Sequence, residues 1–237
     1  MTAAVEAVSS SISIPQPTQV YFDLKINEEP AGRVVIELFS DVAPSGVLRF
    51  KQLAEGKEGV GYRLSKFLGI YPSYIESSGV NRLSYAAGAV SPLDNGDSLQ
   101  SLEEELSRQR RSHDTAGIVS LIVREAAEDR PISEKLVAVG GQLITVRSQA
   151  GQAPNGTGFT ITTAASPELD PTNLQIGRVV SGMELVQRVS GLPINKPRDD
   201  NPYFRLGKAL GDKRAVTAEA GFFRPFKKVQ VSSCGTL

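Results

Sequence analysis

The stretch from Val20 to Phe39 constrains the fold more than any other. Val20 to Leu24 alternates apolar and polar side chains, Asn27-Glu28-Glu29-Pro30 supplies turn chemistry, and Gly32-Arg33-Val34-Val35-Ile36-Glu37-Leu38-Phe39 resumes a β-branched run. That pattern predicts a β-hairpin with one buried face. Further short strand signals recur along the chain. Lys57 to Val80 reads as turn, strand, loop and strand; Gly117 to Val123 is a compact apolar strand; Leu136 to Val146 holds one or two more around Gly140-Gly141. Phe159 to Thr163, Leu174 to Val180 and Lys228 to Ser232 complete the set, and residues 124 to 135 read as a charged loop.

Helices interrupt the strands. Asp41 and Pro44 open one whose apolar residues Val47, Phe50 and Leu53 share a face, and Gly56 closes it. Asp97-Ser98-Leu99-Gln100 has capping-box spacing, so a short acidic surface helix is expected, with Leu99, Leu102 and Leu106 on one side and Glu103, Glu104 and Glu105 beside them. Gly182 to Val189 is a further helix with Met183 and Val186 inward, and Tyr203 to Ala220 has helical character. Many short strands with a late return strand predict an all-β fold, a closed antiparallel barrel of eight strands capped by two α-helices, with extra helical insertions. Val34, Ile36, Leu38, Phe50, Leu53, Ile118 and Phe159 are its expected core.

Composition narrows the function classes. A length of 237 residues suits one large unit, here residues 19–237 behind a flexible lead-in over 1–18. No apolar run approaches the roughly 18 residues a membrane span needs. Formal net charge is zero, which gives a nucleic-acid partner no general support. The charge is uneven: Asp97 to Glu134 carries nine acidic residues against five basic, while Arg188 to Lys228 carries ten basic against four acidic, so two oppositely charged faces could meet a protein. Cys234 is the only cysteine, which excludes an intrachain disulfide, and it is expected to act as a small buried hydrophobe. His113 is the only histidine and lies in a polar run, so it is expected to be solvated or locally bonded rather than catalytic. No cofactor or metal is expected. Met1 to Gln19 lacks a basic n-region and an apolar core, so no intact signal or transit peptide is visible, and an imported protein would correspond to this chain in processed form.

Three blocks carry a family likeness. The run Gly32 to Pro44, with Phe50, Leu53, Gly56 and Gly59-Val60-Gly61-Tyr62, resembles the opening of the cyclophilins. Asn155-Gly156-Thr157-Gly158-Phe159-Thr160-Ile161-Thr162 resembles that family's central strand. Leu169-Asp170 with Ile176 to Met183, and the ending Lys227-Lys228-Val229 through Cys234-Gly235, resemble its later strands and second helix. Insertions are expected at about 84–114, 124–150 and 191–224. Asn195 to Asp199 and Gly211 to Val216 within the last are similar to divergent plant and algal chloroplast cyclophilins, several of them thylakoid-lumenal. The resemblance implies the cyclophilin barrel, a chloroplast location, and a site for proline-containing peptide.

Cyclophilins rotate the X-Pro bond, whose barrier is about 18–20 kcal/mol because amide resonance is lost. The resemblance puts the family's arginine, which stabilises the nitrogen as it pyramidalises, at Gly69. Its two glutamines fall at Ser77 and Gly158, its pocket phenylalanine at Thr160, its tryptophan, which also supports cyclosporin binding, at Glu168, and its histidine at Asn173. Leu169 and the aromatic Tyr74 are retained. Such small side chains are expected to leave a shallow, wet groove unless an insertion fills it. The Asn155-Gly156-Thr157 sequon and Asp94 to Asp97 are weak signals, read as a family turn and a polar turn, and Arg108, Arg110 and Arg111 as partners for the acidic helix. Three functions follow: a peptide-binding, chaperone-like or assembly module; a weak isomerase; or a fixed subunit of a photosynthetic-membrane complex.

Overall fold

The computed structural model describes residues 18–56, 59–80, 96–124, 132–139, 142–149, 155–196 and 221–237, of which 96–98, 132–139 and 142–149 are described in backbone alone. Residues 1–17 of the lead-in, the Tyr203 to Ala220 stretch, Gly140-Gly141, and Asp94 and Asn95 lie outside them.

The chain opens with β1 (Gln19–Ile26) and β2 (Glu29–Leu38), joined through Asn27 and Glu28, both at positive φ of 50° and 70°. A two-residue turn of that hand matches strand twist, so the hairpin closes without a glycine and the expected four-residue turn shortens to two. Helix α1 (Pro44–Glu55) follows, then β3 (Lys66–Ile70), β4 (Tyr74–Ser77), α2 (Gly96–Arg108), β5 (Ile118–Ile122), β6 (Ile132–Val139) and β7 (Gln142–Gln149). The chain ends with β8 (Phe159–Thr162), β9 (Asn173–Ser181), α3 (Met183–Ser190) and β10 (Val229–Thr236). Eight strands close an antiparallel barrel in the order β1-β10-β3-β4-β8-β5-β9-β2. Closure leaves the barrel itself, among the described residues, without an open sheet edge.

All seven expected core residues are buried, the most exposed being Ile118 at 8%. Rings of Phe22, Phe50, Tyr62 and Phe159 meet at centroid distances of 5.1–5.7 Å, mostly edge to face. Tyr62 is fully buried and spends its hydroxyl on the Thr157 carbonyl at 2.9 Å. Pro44 occupies the first turn of α1, and Gly56 ends it in the left-handed conformation (φ 63°).

Several expectations are corrected here. Asp97 lies inside α2, which begins at Gly96, and so does not cap it. Nor is α2 a mere surface helix: Leu102 and Leu106 are buried in the main core and Glu105 serves α1, as described below. A third helix therefore joins the two expected caps. Residues 132–135 belong to strand β6 and not to a loop, and among the described residues β6 pairs only with β7, in a two-stranded sheet separate from the barrel. In α3, Leu185 and Val189 join Val186 in the core, while Met183 packs against it only partly buried. Cys234 is half-buried, and desolvation pushes its thiol up to about 11.

Candidate functional site

Strand register assembles the expected site. Gly69 on β3 lies opposite Glu76 on β4, Glu76 opposite Thr160 on β8, and Thr160 opposite Ser120 on β5, one row across four strands. Tyr74 shares that face, being two residues from Glu76 and paired with Thr162. Glu168 and Leu169 stand on a single 3-10 turn, Pro167–Leu169, and Asn173 begins β9.

Gly69 itself is buried. A Cβ at this position would come within 2.5 Å of Cε2 of Tyr71 and 3.2 Å of the Glu76 Cβ, so the ring of Tyr71 occupies the volume into which any side chain from residue 69 would grow. Tyr71 is held there from both sides. Tyr74 stacks on one face at 4.5 Å between centroids and Phe223 on the other at 4.8 Å. Phe223 arrives near the end of the 191–224 insertion, where its carbonyl accepts from Ile70 N at 2.9 Å and its amide donates to the Asn195 carbonyl at 2.8 Å. The Tyr71 ring, stacked against two others, thus covers the position where the resemblance sets the arginine.

The expected ring pocket is filled differently. Thr160 Oγ1 lies 2.8 Å from Ser120 Oγ and accepts from Asn173 Nδ2 at 3.0 Å, and Thr172 Oγ1 donates to Asn173 Oδ1 at 2.8 Å. Ser120, Thr160 and Asn173 are exposed by 0%, 1% and 3%. The expectation of a shallow, wet groove is corrected at these positions: the small polar residues satisfy one another in a closed network. The insertion at 84–114 helps close it, because Gln109 donates to the Asn173 carbonyl and accepts from Gln175 N at 2.7 Å. Ser77 is buried too, its Oγ accepting from Gly79 N at 3.2 Å. Gly158 lies beside it, where a Cβ would approach Ile122 Cδ1 at 3.1 Å. Leu169 is buried at 5% exposure and offers no open apolar wall.

Charge at this face is negative. Glu168 is exposed and accepts from Ser73 Oγ at 2.8 Å. Burial pushes the Tyr74 phenol up, and neighbouring Tyr71, Glu76 and Glu168 push it further. Arg63 and Lys66, two cations that could have replaced a missing arginine, are exposed elsewhere. Arg63 lines a cleft of about 640 Å³ beside Gly56 and Cys234, and Lys66 lines a smaller groove with Arg224.

His113, expected to be solvated or locally bonded, is fully buried. Its Nδ1 bonds Asp170 Oδ1 at 2.5 Å, its amide donates to the same oxygen at 2.8 Å, and Ser112 donates to Oδ2. Burial alone would raise the Asp170 carboxyl, but these bonds together outweigh it and hold the group below its ordinary range. This clamp ties the insertion to the turn carrying Glu168. The sequon residue Asn155 has its side chain engaged, donating to the Val80 carbonyl across to the chain after β4 at 2.8 Å and accepting from Thr157 in its own loop. Arg108 pairs with Glu104 as expected, at 3.5 Å, while Arg111 lies over the Phe39 ring. Among the described residues no three metal-binding side chains gather, and no helix is long and apolar enough to cross a membrane.

The barrel order, the Gly32 to Pro44 hairpin-to-helix run and the row across β3, β4, β8 and β5 agree with the family suggested by the sequence. Residues 21–205 match the family described as cyclophilin type peptidyl-prolyl cis-trans isomerase. The chain belongs to the cyclophilin family. Among its relatives, the chloroplastic peptidyl-prolyl cis-trans isomerase CYP26-2 of Arabidopsis thaliana is 39% identical over 226 residues, covering 93% of this chain and 70% of the relative. The chloroplastic isomerase CYP28 of the same plant is 28% identical over 216 residues, covering 88% and 69%. Both are chloroplast proteins by name, in agreement with the chloroplast expectation. The family match stops at residue 205, yet β10 lies beyond it and fills the barrel between β1 and β3. This cyclophilin therefore completes its sheet across the divergent 191–224 segment.

The sequence reading missed Tyr71, Phe223, Ser120 and Gln109. Tyr71 stands two residues from Gly69, and its bulk beside a glycine is the signal the sequence offers. Phe223 lies more than 150 residues from Gly69 and gave none.

Proposed function

We propose that this cyclophilin works as a peptide-binding, chaperone-like or assembly module whose isomerase site is degenerate. The observation that carries this reading is the Tyr71 ring over Gly69, pinned between Tyr74 and Phe223. Isomerisation gains speed from donors aimed at the twisted amide, and loss of one such donor typically costs about 10²–10³ in rate. Here the arginine position carries no side chain, the two glutamine positions are Ser77 and Gly158, and the local charge is negative. What remains suits contact with a polypeptide surface: stacked aromatics edged by Glu168. The location proposed with it is the chloroplast, and more finely the thylakoid lumen, which the likeness of Asn195 to Asp199 to lumenal members supports.

A second reading, weak residual isomerase activity, is favoured by the names of both relatives. A protease-coupled assay, with exchange NMR on an X-Pro peptide, separates the two. We expect kcat/KM at least about 10²-fold below that of an ordinary cyclophilin run alongside, in line with a missing oriented donor. Rates equal to the ordinary enzyme would overturn the binding reading. Recovery in a stable complex after gentle solubilisation would instead favour the third reading, a fixed subunit of a photosynthetic-membrane complex.

A further inference from the structure

A different face of the barrel carries a second feature. β3 and β10 pair at only two positions, Phe67 with Val229 and Lys66 with Gln230. Phe67 and Val229 are buried, so Lys66 and Gln230 face outward. Beyond them the chain over Arg224 to Lys228 leaves a groove of about 200 Å³, flanked by Leu68 and Phe226 and large enough for one apolar side chain. Phe226 is 72% exposed, and Leu64, two residues before Lys66, is 63% exposed. These two side chains leave apolar surface open beside the groove.

The rim is cationic. Lys66, Arg224 and Lys227 are exposed and, among the described residues, form no ion pair; Lys228 alone is paired, with Glu28 at 2.9 Å. An apolar slot rimmed by uncompensated cations complements a segment with one apolar anchor between carboxylates. We infer that the β3–β10 groove docks an acidic segment of a partner protein, one apolar side chain packing on Phe226 and its carboxylates facing Lys66, Arg224 and Lys227. A bilayer fits less well, because interfacial binding scales with protruding apolar area whereas this site is a concave slot. The surface uses none of Tyr71, Tyr74 or Glu168, so it does not depend on the fate of the isomerase site.

The test uses the full chain and a fluorescent peptide of glutamate and serine with one central phenylalanine. Anisotropy should show saturable binding that weakens tenfold or more between about 50 and about 300 mM salt, as screening requires. Phe226→Ser and the Lys66→Glu/Lys227→Glu pair should each weaken it tenfold or more, while Arg188→Glu on α3 leaves it unchanged. NMR shifts should map to residues 64–68 and 224–230. These exposed substitutions should leave the melting temperature in place, so a loss of binding reports the surface. The inference is overturned by no saturation at millimolar peptide, by equal binding of a lysine-for-glutamate peptide, or by shifts mapping elsewhere. Tighter binding to anionic lipid vesicles than to the peptide would overturn it as well, as would Phe226-dependent self-association in sedimentation, since either names a different occupant.

Discussion

Gly69 shows how one residue decides what its neighbours can do. With no Cβ at 69, Tyr71 folds back over the backbone, and the ring then blocks any side chain that might return. Gly69→Arg alone should therefore not restore isomerase activity. The Cβ would meet the ring at 2.5 Å, so either the arginine is misdirected or the Tyr71 stack opens. We expect a gain in kcat/KM below about tenfold, with a lower melting temperature, and a larger gain from Gly69→Arg with Tyr71→Ile, since catalytic groups act as a unit. A single substitution that recovers full activity would show that the ring yields freely. His113 and Asp170 form the other residue-scale device. The Asp170 carboxyl is held below its unfolded value, so its contribution is complete above the unfolded pKa near ~3.9 and is lost as pH falls through the folded value. Asp170→Asn should lower the melting temperature at pH 7 and flatten its decline between about pH 5 and pH 2, measured by thermal denaturation across that range.

At the scale of elements, α2 matters most because it lies within an insertion and yet serves helix α1. Ala43, the N-cap of α1, offers no side-chain acceptor. Glu105 supplies one from outside, its two oxygens accepting from Ser45 N at 2.7 Å and Gly46 N at 3.0 Å. A carboxylate there satisfies two orphan amides and meets the positive end of the helix dipole. Glu105→Ala should cost about 1–2 kcal/mol, the range for losing a cap. Glu104→Ala, one residue away, removes only an exposed pair with Arg108 and should cost at most about 0.5 kcal/mol. Equal losses in denaturant titrations would refute the cap. The contrast also shows what the sequence could disclose. Leu99, Leu102 and Leu106 made a visible helical stripe, and Leu102 is indeed buried, but three adjacent glutamates read alike until the fold aims one of them at α1. The first hairpin, α1 and the strand runs were legible because period and turn chemistry are local. The β6–β7 pairing outside the barrel and the Phe223 contact were not, because both are settled by partners distant in sequence or by tertiary placement.

At the scale of the whole molecule, the barrel depends on its last strand. β10 joins β1 over most of its length and touches β3 at two positions, so the chain's ends close the cylinder together. Val229 and Val231 bring buried side chains at 1% and 0% exposure, and the Gly235 backbone lies against the Tyr21 ring. A chain ending at residue 205, where the family match stops, would keep the first nine strands and all three helices but expose the edges of β1 and β3. Each buried valine forfeits about 1.5–3 kcal/mol, and the two bare edges invite pairing with other chains. Native proteins have only about 5–15 kcal/mol in hand, so losing a strand that bonds on both sides should abolish the fold rather than fray it. The expected result is a truncated chain without a cooperative thermal transition and with concentration-dependent aggregation, beside a full-length chain that melts as one unit. A subtler check keeps the chain whole: Val231→Asp places a carboxylate in the sealed core and should destabilise by several kcal/mol. Cooperative melting of the 1–205 fragment near the full-length temperature would mean that β1 and β3 can close without β10.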